Sequence, residues 1–88
     1  MGQPTFAERI DIALEAINSG KVVLSPEIDR VVQTVRIDGD IKALKTASLA
    51  DKPELTQRVE DGIIKLLEIG GDLEAGRCIS EYNMAMGY

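Results

Sequence analysis

An all-α fold, a compact orthogonal bundle of about five short helices, follows from three observations on this 88-residue sequence. Apolar residues recur every three to four positions, the spacing that lays side chains along one face of a helix. Capping residues and glycine stops alternate at short intervals, so each apolar run is brief and bounded. The apolar complement is almost wholly Ile, Leu, Val and Ala, with Phe6, Tyr82 and Tyr88 as the only aromatics. Such a core suits helix-on-helix packing. The length fits one domain over 1–88, with loose ends expected at 1–4 and 87–88.

Thr5-Phe6-Ala7-Glu8 has the form of a capping box, in which the threonine hydroxyl accepts a free helix N–H and the glutamate reaches back to the cap. The first helix then carries Phe6, Ile10, Ala13, Leu14 and Ile17 on one stripe and stops at Asn18-Ser19-Gly20. Ile12 falls off that stripe and suggests a second contact surface. Val22-Val23-Leu24 reads as a short connector. In Ser25-Pro26-Glu27 the serine can cap, proline fits the first turn, and the acid complements the helix dipole. Ile28, Val31, Val32 and Val35 follow at i, i+3, i+4 and i+7 and are expected to face the core. Residues 31–37, VVQTVRI, are rich in β-branched side chains and precede Asp38-Gly39, a hairpin signal. The cap and the period favour helix over strand.

Asp40 is read as the cap of a third, shorter helix that points Ile41, Leu44 and Ala47 inward and ends near Leu49 or Ala50. Asp51-Lys52-Pro53-Glu54 repeats the capping-box pattern and opens a fourth. There Leu55, Val59, Ile63 and Leu66 recur at helical spacing, Ile64 and Leu67 widen the stripe, and Glu54–Arg58 and Asp61–Lys65 form favourable i, i+4 pairs. Gly62 interrupts this stripe at about 1 kcal/mol relative to alanine, a cost that close helix packing would offset; Gly76 interrupts the last helix in the same way. Gly70-Gly71 stops the fourth helix, and Asp72 caps a fifth in which Leu73, Ala75, Cys78, Ile79, Tyr82 and Met86 share a face.

The balance of ten basic and fifteen acidic residues leaves a net charge of −5. Both ends are acidic and the middle is nearly neutral, which disfavours nucleic acid as a partner, since phosphate binding calls for a basic stripe. An acidic face offered to a partner with a basic surface remains open. One cysteine excludes an intrachain disulfide, and the lack of histidine removes the commonest metal ligand and general base. No metal or cofactor is expected. The N-terminus lacks a secretion signal, and no apolar run approaches a membrane span; a cytoplasmic protein is expected. Gly2 lacks the downstream Ser or Thr of a myristoylation site.

Cys78 has no base to activate it and is read as a buried structural thiol. Asp38-Gly39-Asp40 lacks the twelfth-position acid of a calcium loop, Leu49 standing there. Gly70-Gly71-Asp72 has no Lys-Ser/Thr sequel and is a helix stop. Asp11 and Glu15 lie on a solvated face. Nothing therefore points to an enzyme. The expected function is a non-enzymatic protein-binding module: a small acidic adaptor, chaperone-like subunit or inhibitor. Its candidate docking residues are Tyr82, Met84, Met86 and Tyr88, of types enriched at interfaces, bordered by Glu74 and Glu81. The alternatives are a weak DNA-binding regulator using the third and fourth predicted helices with Lys42, Lys45, Lys52 and Arg58, and a self-assembling structural subunit, a homo-oligomer.

Overall fold

The structure, a computed structural model, describes residues 2–21 and 25–87. They form four helices, α1 (Phe6–Asn18), α2 (Glu27–Thr46), α3 (Lys52–Glu68) and α4 (Asp72–Met86), with no strand among the described residues. The connector Val22-Val23-Leu24 and Tyr88 lie outside the described residues.

α1 starts as its sequence dictates. The Thr5 hydroxyl accepts from the Glu8 N–H at 3.2 Å, and the Thr5 N–H donates back to the Glu8 carboxylate at 3.4 Å. Past its last residue, Asn18, the chain turns at Gly20, whose φ of 75° lets the Gly20 N–H reach the Ile17 carbonyl and the Lys21 N–H the Ala16 carbonyl, a doubled C-terminal lock that glycine supports at no steric cost.

Two of the five predicted helices are one. The segments expected on either side of Asp38-Gly39-Asp40 run together as the 20-residue α2. Ile37, Ile41 and Leu44 continue a single period across those residues, and all three are buried. Their burial outweighs the local hairpin preference of Asp-Gly and the roughly 1 kcal/mol that glycine costs inside a helix. Asp40 is thus no cap; its carboxylate meets Arg58 of α3 at 3.1 Å. Nor does Ser25 cap α2, whose cap residue is Pro26. The Ser25 N–H donates instead to the Ile69 carbonyl at 3.0 Å, tying the entry of α2 to the exit of α3.

The box expected over Asp51–Glu54 is replaced by a contact one turn earlier. Asp51 has helical φ and ψ and makes no capping bond. Ser48 holds the turn, accepting from the Asp51 N–H and donating to its carboxylate. At the far end Gly70, at φ 88°, closes α3 with the Gly70 N–H on the Leu67 carbonyl and the Gly71 N–H on the Leu66 carbonyl. A Cβ on Gly71 would stand 2.6 Å from the Leu66 side chain. The chain therefore turns tightly over Leu66 into α4, which begins after Gly71 with Asp72 in its first turn rather than at its cap.

α3 is the hub, packing on α1, α2 and α4. It supplies the buried Val59, Ile63, Ile64, Leu66 and Leu67. Along α2 and α3 the facing residues advance in opposite chain directions, so these two helices run antiparallel. Gly62 of α3 faces Ile37 of α2, and Arg58 faces Asp40; Arg30 and Asp38 of α2 face Glu74 and Arg77 of α4. A Cβ on Gly62 would lie 3.0 Å from Ile37, and the Gly62 carbonyl accepts from Gln33 at 3.2 Å. This is the close approach the glycine predicted. Gly76, by contrast, has open space around it.

The predicted i, i+4 pairs of α3 give way to bridges between helices, Arg58–Asp40 at 3.1 Å and Arg9–Asp61 at 3.0 Å. Long side chains on a packed helix reach neighbours as readily as their own next turn. The extents of 40 × 36 × 19 Å describe a flattened body little more than a helix pair thick.

Candidate protein-docking surface

α2 has two apolar faces. Residues advance about 100° each around a helix, so Ile37, Ile41 and Leu44 share one side with Thr34, all buried against α3 and α4. Thr34 is accepted there because its hydroxyl donates to the Arg30 carbonyl at 2.7 Å. Half a turn away lie Ile28, Val31, Val32 and Val35, at 75, 51, 46 and 63% exposure. The stripe expected in the core faces solvent. Whichever stripe packs, the other must face out, and α3 and α4 meet the one formed by Ile37, Ile41 and Leu44. Fully burying an aliphatic side chain contributes about 1.5–3 kcal/mol, so four such residues left in water forgo a large stabilisation.

Gly39 continues the outer stripe, and an added Cβ there would meet nothing within 4 Å. No neighbour in its own chain requires this glycine, unlike Gly62. Asp29 and Arg36 flank the stripe on one side, both exposed, and neither forms an ion pair among the described residues.

The candidate residues near the C-terminus are divided by the fold. Tyr82 is inside: its hydroxyl donates to Glu60 at 2.7 Å and its ring stands edge-on to Phe6 at 5.9 Å. Met86 is at the margin of exposure and Met84 stands out at 75%. Glu74 faces Arg30 at 3.6 Å, and Glu81 lies 4.0 Å from Arg77. Met84 lines a cleft of about 330 Å³ between α2 and α4 with Asp38, Ile41, Lys42, Lys45 and Glu81. Its border is mixed in charge, two lysines against two acids. Leu73, expected inward, is exposed at the first turn of α4, where the chain has just turned over Leu66.

Cys78 is fully buried. Burial pushes its thiol up to about 11, with Asp38 adding to the shift, the reverse of what a nucleophile needs. Among the described residues no three carboxylate or thiol side chains converge as a metal site. A cleft of about 520 Å³ between α2 and α3 is lined by Gln33, Arg36, Asp40, Arg58 and Asp61 over Ile37 and Gly62. Asp40 and Arg58 are paired there, and Asp61 is taken by Arg9. A second groove, of about 360 Å³, runs between α1 and α3 past Ile12, Ala13, Ala16 and Ile64, so the off-stripe Ile12 does mark an apolar margin. None of the described helices is long and apolar enough to cross a membrane.

Compared with protein families, curated proteins and solved structures, the chain gives no match in any of the three.

The outer face of α2 escaped sequence reasoning because its residues looked like core. A usable signal was present: Ile37, Ile41 and Leu44 follow the same period without a proline between them, so 27–46 carries two stripes, and a single helix can bury only one of them in a body this thin.

Proposed function

We propose that the protein is a non-enzymatic protein-binding module that works by docking the outer face of α2 onto another protein surface. The observation that carries this reading is the exposed row Ile28, Val31, Val32 and Val35 on the longest helix, opposite its core side. Contiguous apolar surface of this kind marks interaction sites. Met84 beside Glu81 offers a smaller secondary contact, and for contacts other than the α2 face the net charge of −5 favours partners with a basic surface. The test is capture of partners by the wild-type chain and by a Val31→Ser/Val35→Ser variant with an unchanged far-ultraviolet dichroism spectrum. Proteins held by the first and released by the second support the reading. Equal retention by both removes α2 as the docking surface.

A further inference from the structure

We infer that the partner of the α2 outer face is a second copy of this chain, related by a two-fold axis that crosses α2 at Val32 so that the two helices run antiparallel. This inference rests on the docking role given to that face and names its occupant.

The stripe is symmetric about Val32. In an antiparallel pair centred on Val32, Ile28 of one copy lies against Val35 of the other, and Val31 and Val32 meet their own images around the axis. The four exposed aliphatic residues thus form a self-complementary row, the requirement of an interface between identical surfaces.

The charges beside the stripe share that symmetry. Asp29 and Arg36 are seven residues, about two turns, apart and on the same flank of the stripe. Antiparallel pairing brings like flanks together, so each Asp29 meets the Arg36 of the other copy, twice over. The midpoint of Asp29 and Arg36 and that of Ile28 and Val35 both fall within half a residue of Val32. On the opposite flank the pairing sets Glu27 near Asp38, whose charge Arg77 already answers at 3.4 Å.

The test is sedimentation equilibrium across the micromolar range on the wild type, Val32→Glu, Asp29→Arg and the double variant Asp29→Arg/Arg36→Asp, each shown helical by far-ultraviolet dichroism. The wild type is expected to pass from monomer to dimer as concentration rises. V32E places two carboxylates at the axis and stays monomeric; D29R sets arginine against arginine and raises the dissociation constant at least tenfold; the charge-swapped double variant recovers most of the wild-type affinity. A wild type that remains monomeric throughout overturns the proposal, as does a V32E chain that still dimerises. A double variant as weak as D29R overturns the antiparallel register. Failure here leaves the docking role to stand or fall on the capture experiment, which reads proteins other than this chain.

Discussion

Ile28 and Ile37 are the same residue type on the same helix, and the structure gives them opposite fates. Ile37 is 1% exposed and packs on Gly62, while Ile28 is 75% exposed. Truncating a buried isoleucine to alanine removes its transfer free energy and leaves a cavity, together about 2–5 kcal/mol. The backbone of α3 abuts Ile37 and restricts collapse of the gap, so Ile37→Ala is expected in the middle of that range, about 3 kcal/mol. Ile28→Ala removes no packed neighbour and gains a few tenths of a kcal/mol in helix propensity, so the monomer should change by less than about 0.5 kcal/mol. A domain of this length is stable by only about 4–13 kcal/mol, which makes the first change large and the second barely detectable. Urea unfolding followed by dichroism at 222 nm, at protein concentrations low enough to keep the chain monomeric, measures both. If Ile28→Ala costs as much as Ile37→Ala, α2 is rotated by half a turn from the orientation described, and the docking face disappears with it.

Cys78 should resist thiol reagents until the chain unfolds. Because its folded pKa of about 11 lies above the unfolded value of 9.0, its contribution is complete below about pH 9 and is lost as pH rises toward the folded value; Cys78→Ala should flatten that part of the stability curve by about 3 kcal/mol. Tyr82→Phe deletes the hydroxyl that donates to Glu60 and should cost about 1.5–3 kcal/mol in the same urea assay. Gly39→Ala should raise monomer stability by up to about 1 kcal/mol, whereas Gly71→Ala should lower it, since its Cβ would collide with Leu66. Thr5→Ala should cost about 1 kcal/mol by opening the box at the start of α1.

Local signals placed α1, α3 and α4 to within a residue or two. Thr5 and Glu8 are close in sequence and close in space, and the stripe of α3 is unambiguous because α3 is surrounded. The reading failed where the answer depended on contacts distant in sequence. Asp38-Gly39 favours a turn in isolation, and burial of Ile37, Ile41 and Leu44 against other helices holds it helical. The choice between the two stripes of α2 is likewise made by α3, so Ile28, Val31, Val32 and Val35 were assigned to the wrong side. Tyr82 illustrates the same point at the other end of the chain: its interface-prone chemistry is spent internally on Glu60 and Phe6.

The central position of α3 has a consequence for how the molecule comes apart. α1 and α2 lean on different sides of it and have little to do with each other, so a nick in the 47–51 connection would strand both on a fragment with nothing to hold them. The helix they need lies on the other piece. Such a chain should melt as one cooperative unit, with α1, which rests mainly on α3, the first to exchange its amide hydrogens.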